Sequence, residues 1–260
     1  MRFTLCQDNK SLLNFATLGN AAKMSKLLKA KTKVEKQDWQ AMFAEWAEEA
    51  PEGPLKRYYQ AGMIAPDTPL QDAPLLALDL ETTGLDPKED EIISLGVIPL
   101  SNKIIRCQGA QYWMAKPERS LNAESVTIHE ITHSELAEAP PLHAILNQIL
   151  VALTGQVVVV HCVSIERQFL LQAAMKIYGY PLYFPVLDTM DIERQATFKP
   201  WWKRFGRRPS LRLDACRQRY KLPRYKAHHA LTDALSSAEL LQAQISHHMD
   251  PTADISNYWV

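Results

Sequence analysis

The sequence has no C-x-x-C pair, no excess of either charge, and no apolar run near the length of a membrane span. Its cysteines, Cys6, Cys107, Cys162 and Cys216, are scattered. That pattern indicates neither a zinc site nor a disulfide framework. Lysine plus arginine and aspartate plus glutamate both total 29, so the formal net charge is zero. A wholly basic nucleic-acid binder is therefore disfavoured, and the question moves to local patches. No basic start followed by an apolar h-region is seen, so the expected setting is a soluble, unexported protein in a reducing cytoplasm, with no membrane partner. At 260 residues there is room for one large domain, or for a domain with an appendage.

What is present divides near residue 70. Residues 1–70 hold a lysine-rich run, Lys23 to Lys36, and then Trp39, Met42, Phe43 and Trp46 at helical spacing. They predict a small helical extension whose aromatic stripe serves packing. Proline-rich stretches at Pro51 to Pro54 and Ala65 to Pro74 punctuate it as a linker. From 71 to 250 the pattern is α/β. Strands are predicted at Leu75–Leu80, Glu91–Leu100 and Ile104–Met114, close enough in sequence for an antiparallel meander. A helix at Pro141–Leu153, a buried strand at Gln156–Cys162, a helix at Ile165–Tyr178, a short strand at Pro185–Met190 and helices at Leu211–Tyr220 and Ala230–Ser246 follow. Three strands and then alternating helices and strands imply a mixed sheet covered on both faces.

The apolar stretch "LLALDLETTGL" (Leu75 to Leu85) places Asp79 and Glu81 on one face of its strand, because side chains alternate. Two carboxylates this close resist ionising together unless a cation lies between them. Oxygen ligands favour Mg2+ or Mn2+. The glycine turn that follows is a place where backbone and phosphate can approach. Further acids must converge from elsewhere. Glu166 opens a helix after the strand "VVVVH", and Asp233 sits among core residues in "AHHALTDALSSAELL", where an unpaired carboxylate would be costly.

"ALDLETTGL", "HCVSIERQFL" and "HHALTDA", in that order, resemble the three motifs of the DnaQ-like DEDDh 3'-5' exonucleases, the family typified by proofreading epsilon subunits of DNA polymerase III. "SVTIHEIT" (Ser125 to Thr132) resembles a further segment of that family. The resemblance runs from about Leu75 to about Ile245. It implies a ribonuclease H-like mixed five-stranded sheet flanked by helices. It also implies that Asp79, Glu81, Glu166 and Asp233 bind two divalent cations and that His228 is the general base. Thr82, Thr83 and Leu85 would then receive the terminal nucleotide, and a nucleoside 5'-monophosphate would be the product. Histidine suits the base role because imidazole titrates near neutrality. His229, four residues before Asp233, is the rival candidate. The second motif departs from the family, which has Asn and Asp where Cys162 and Glu166 stand. The longer arm of Glu166 shifts its carboxylate by about 1.5 Å on a fixed backbone, one carbon–carbon bond.

Between the second and third motifs, Phe198 to Lys226 is rich in arginine and lysine, Arg207 and Arg208 among them, interleaved with Trp201, Trp202, Phe205, Tyr220 and Tyr225. Basic groups that track phosphates beside aromatics that stack on bases suit single-stranded DNA or RNA ends. The alternative is an amphipathic helix with solvated arginines. Besides a nuclease of small RNA fragments, two functions remain open on this reading. One is a metal-dependent exonuclease; the other is a catalytically impaired nucleic-acid-binding module, associated with a DNA polymerase, on the same fold.

Overall fold

The computed structural model describes residues 37–118, 133–197 and 209–260. Strand β1 (Leu75–Thr82) forms where the sequence is most continuously apolar, and nearly all of it is buried. It pairs antiparallel with β2 (Ile92–Leu100), which pairs antiparallel with β3 (Gln111–Met114). On its other side β1 pairs parallel with β4 (Val157–Val160), and β4 with β5 (Val186–Asp188). The order β3-β2-β1-β4-β5 is the expected mixed five-stranded sheet. Since neighbouring residues point to opposite faces, four consecutive buried valines in β4 require that both faces be covered.

The cover is helical. Helices α1 (Trp39–Glu49) and α2 (Pro54–Gln60) precede the sheet, and α3 (His133–Glu138) and α4 (Leu142–Leu153) lead into β4. Helix α5 (Val163–Tyr178) joins β4 to β5. Then come α6 (Thr189–Ala196), α7 (Leu213–Arg219) and α8 (Ala230–His248). Several boundaries shift from expectation, most by a residue or two, and two of the shifts have a visible cause. The strand predicted from Ile104 begins only at Gln111, after an exposed 3-10 turn at Cys107–Gly109. The strand predicted to run to Met190 stops at Asp188, whose carboxylate accepts a hydrogen bond from the Met190 N–H at 2.9 Å and starts α6. No helix among the described residues is long and apolar enough to cross a membrane.

One compact unit runs from Asp38 to Val260, so α1 and α2 share the core of the sheet. Trp39, Phe43 and Trp46 are buried against one another and against Tyr58, Tyr59 and Tyr183. The Tyr59 hydroxyl donates to the Pro181 carbonyl at 2.8 Å and accepts from the Tyr183 N–H at 2.9 Å. These bonds fasten the helical segment to the chain entering β5.

Glu193 on α6 ties three helices together. It is 1% exposed, and its oxygens accept from Arg219 Nε (2.7 Å) and the Tyr220 hydroxyl (2.8 Å), both from the α7 region, and from Gln244 of α8 (3.0 Å). Burial pushes its pKa up, but the bonds from Gln244, Arg219 and Tyr220 outweigh burial and hold it below the usual value. A carboxyl depressed on folding contributes stability that is present above its unfolded pKa and is lost as pH falls through the lower folded value. Glu193→Gln is therefore expected to destabilise the protein at neutral pH by about 1–3 kcal/mol. In denaturant titrations at stepwise lower pH, the gap from wild type should close in acid.

Candidate functional site

The site is assembled on one face of the sheet. Across the β1–β2–β3 ladder, Asp79 lies opposite Gly96 and Gly96 opposite Tyr112; one step along, Glu81 lies opposite Ser94 and Ser94 opposite Met114. Residues directly opposite share a face, as do residues two apart, so these six form two adjacent rows. The first turn of α8 rests on the row that contains Gly96. A Cβ on Gly96 would lie 2.5 Å from the Leu231 backbone nitrogen and 2.6 Å from its Cα. Small residues, Ala230, Ala234, Ser237 and Ala238, are buried along the same helix. This contact carries Asp233 to the acidic end of β1.

The turn before α8 supplies the imidazole. His228 has φ of 72°, in the left-handed region that a side chain with a Cβ seldom adopts. Its N–H donates to Asp233 Oδ2 at 2.9 Å, which closes the turn. His229 is pulled the other way, and its ring stacks on Tyr112 at 4.9 Å between centroids and 16° between planes. Burial raises the Tyr112 phenol above its usual pKa, and the nearby charge of Glu81 adds to the rise.

One ligand atom each from Glu81, His228 and Asp233 lie within 4.8 Å of one another. Around an ion bound at roughly 2.0–2.1 Å, opposed ligands stand about 4.2 Å apart. The Glu81 and Asp233 carboxylates, with the His228 imidazole beside them, offer oxygen donors of the kind that hold a divalent cation. Asp79 and Glu166 stand outside this closest set. Asp79 is two residues back on the same face of β1. Glu166 is 3% exposed in the first turn of α5. The β1–β4 register pairs Ala77 with Val159, so His161 comes level with Asp79 and α5 departs from that end of the sheet.

The second motif is also fixed from behind. His161 Nε2 faces the Leu211 carbonyl at 2.8 Å and must carry a proton; Nδ1 faces the Thr189 hydroxyl at 2.8 Å. Burial lowers its pKa, so the neutral ring is favoured. Thr82 and Thr83 are engaged in shaping the turn after β1. The Thr82 hydroxyl donates to the Gly84 carbonyl (2.5 Å), and that of Thr83 donates to Asp90 (3.0 Å). Leu85 is half-buried beside them.

The basic run is only partly available to a ligand. Arg217 is 4% exposed, donates to the Ser236 and Pro223 carbonyls, pairs with Glu239 at 2.7 Å and lies 4.8 Å from the Tyr225 ring centroid. Arg219 pairs with Glu193. Arg217 is an internal strut and Arg219 a partly exposed one, whereas Lys221, Arg224 and Lys226 are exposed. Arg207, Arg208, Trp201, Trp202, Phe205, the Lys23–Lys36 run and Ser125–Thr132 lie outside the described residues. Gly96, Tyr112 and Asp188 were not singled out from the sequence. A glycine inside "SLGVI" signals a close backbone approach, and the acid in "VLDTM" signals a helix cap.

Residues 76–241 match the family model RNase_T, described as exonuclease. The chain is 28% identical over 182 residues to the DNA polymerase III epsilon subunit of Treponema pallidum, covering 70% of this chain and 81% of that protein. It is also 28% identical over 182 residues to the PolC-type DNA polymerase III of Thermotoga maritima, covering 68% of this chain but only 12% of that protein. Among solved structures, Escherichia coli exonuclease I bound to single-stranded DNA superposes with a TM-score of 0.59 at 17% identity, covering 70% of this chain and 42% of that one. The nuclease domain of 3'hExo, a DEDDh family member bound to rAMP, gives 0.58 at 14% identity, covering 70% and 96%. The architecture is thus the DnaQ-like ribonuclease H fold.

Gly96→Ala sets a methyl group against backbone, which cannot rotate away. Overpacking of this kind is expected to cost about 1–3 kcal/mol in thermal or chemical denaturation. The displaced start of α8 should weaken Mn2+ binding in the same preparation.

Proposed function

The chain belongs to the RNase_T exonuclease family, and from that membership we propose a metal-dependent 3'-5' exonuclease that releases nucleoside 5'-monophosphates from single-stranded or frayed 3' ends of DNA or RNA. The observation that carries this reading is the convergence of Glu81, His228 and Asp233 within 4.8 Å. Two segments far apart in sequence contribute to one end of the sheet. The nucleic-acid substrate is supported by relatives of the same fold, exonuclease I with single-stranded DNA and exonuclease X with 5'-overhanging duplex DNA. A DNA polymerase as partner is supported by the epsilon relatives.

Glu81 and Asp233, with Asp79 and Glu166 beside them, would hold two Mg2+ or Mn2+ ions. Such cations neutralise the phosphodiester and lower the pKa of the attacking water. His228 takes the proton of that water. Its ring lies at the carboxylates, whereas that of His229 is committed to Tyr112. Thr82, Thr83 and Leu85 form the turn against which the terminal nucleotide rests, and Arg207 and Arg208 meet the phosphates. A second reading is favoured by Glu166, which stands where the family has Asp: a nucleic-acid-binding module whose catalysis is impaired.

A 5'-labelled single strand incubated with Mg2+ or Mn2+ is expected to shorten from its 3' end, and Asp79→Ala should abolish the ladder. Absence of a ladder with either metal, together with salt-sensitive strand binding, overturns the enzyme reading in favour of the module.

His228→Ala should slow turnover by about 10²–10⁴-fold while Mn2+ uptake persists, the signature of a base and not a ligand. His229→Ala should cost far less. Single-turnover rates paired with Mn2+ titration separate the two histidines.

A further inference from the structure

Asp188, the last residue of β5, is 7% exposed and holds three backbone N–H groups. Oδ1 accepts from Cys162 at 3.1 Å and from Met190 at 2.9 Å, and Oδ2 accepts from Val163 at 3.1 Å. The Met190 bond is the cap of its own helix. The other two cross to the neighbouring strand and grip the turn by which β4 becomes α5. That turn needs a grip. Cys162 has φ of 97°, a left-handed backbone at a residue with a Cβ, and such a conformation persists only where its surroundings over-determine it. Val163 is the first residue of α5 and Glu166 lies in its first turn. The direction in which α5 leaves the sheet therefore decides where the Glu166 carboxylate stands.

We propose that Asp188 is a positioning residue for the candidate metal centre: by clamping the Cys162 and Val163 N–H groups it aims Glu166 at the acidic end of β1 and so sets cation affinity. The inference rests on the reading of Asp79, Glu81, Glu166 and Asp233 as metal-holding. A carboxylate is required because both oxygens are in use. An asparagine would turn an N–H2 group toward one of the N–H donors. The contact is indirect, and supports of this kind are typically worth tenfold or more in metal affinity.

The test is calorimetric titration of Mn2+ into the full chain, with a denaturation curve for each variant. Wild type should bind, Asp79→Asn should lose most binding, and Asp188→Asn should bind about tenfold more weakly. Asp188→Ser keeps an oxygen for the Met190 cap but cannot reach both remaining donors, and should weaken binding at least as much. Asp38→Ala is the control. It removes a remote cap, the Asp38 bond to the Ala41 N–H at 3.0 Å, and should lower stability while leaving Mn2+ affinity at the wild-type value. Wild-type affinity in both Asp188 variants, or an equal loss in Asp38→Ala, overturns the positioning role alone. Wild type that takes up no Mn2+ overturns the metal reading and this inference with it.

Discussion

The candidate site depends on one close approach, the first turn of α8 lying on β2 at Gly96. A helix normally stands off a sheet by the thickness of its side chains, with about 10 Å between packed layers. Here the Leu231 backbone occupies the place where a β-carbon would project from the strand. The missing side chain lets Asp233 and His228 come down to a strand that already presents Asp79 and Glu81. Everything chemical about this face follows from the approach. Glu81 comes from a hairpin strand and Asp233 from a helix that begins more than a hundred residues later, yet their carboxylates share one small volume.

Buried acids in this protein fall into different kinds, and their partners distinguish them. Glu193 is satisfied by an amide, a guanidinium and a phenol, and their hydrogen bonds outweigh burial to hold its pKa below the usual value. Asp188 is satisfied by backbone N–H groups at two chain turns. Both are structural by the chemistry of their donors. Glu81 and Asp233 instead converge on each other and on an imidazole, an arrangement that Coulomb repulsion opposes unless positive charge is supplied. Low exposure alone would not have separated these cases, since Glu81, Glu166 and Glu193 are all buried.

Much of the fold was legible in the sequence because its strands advertise themselves. "LLALDL" and "VVVV" leave little choice but buried strands, and three closely spaced strands followed by alternating helices and strands imply a mixed sheet. Asp79 and Glu81 were legible through period-two alternation, and Asp233 through its place among apolar helix positions. What was not legible is what depends on contact between distant segments. Nothing local to "SLGVI" says which backbone will press on Gly96. Nothing local to "HHAL" says that one imidazole turns to the acids while its neighbour stacks on Tyr112. The boundary errors have a local cause. Asp188 reads as part of an apolar strand until its cap on Met190 is seen, and the chain before β3 is apolar enough to imitate a strand where it makes an exposed turn.

The basic stretch shows how composition misleads when side chains have internal work. Counted by charge, Phe198 to Lys226 resembles a continuous cationic rim. Arg217 and Arg219, however, spend their donors on carbonyls, Glu239 and Glu193, so their charge is neutralised at short range and contributes little to the field felt by a distant phosphate. The Tyr220 and Tyr225 hydroxyls donate to Glu193 and Glu239, although Tyr225 remains exposed. Beside the exposed Arg212, exposed cationic character downstream of the struts passes to Lys221, Arg224 and Lys226. These follow the two struts in sequence and precede His228 directly. The same arginines that brace α7 against α6 and α8 thus hold in place the short basic segment that leads into the turn carrying the imidazole.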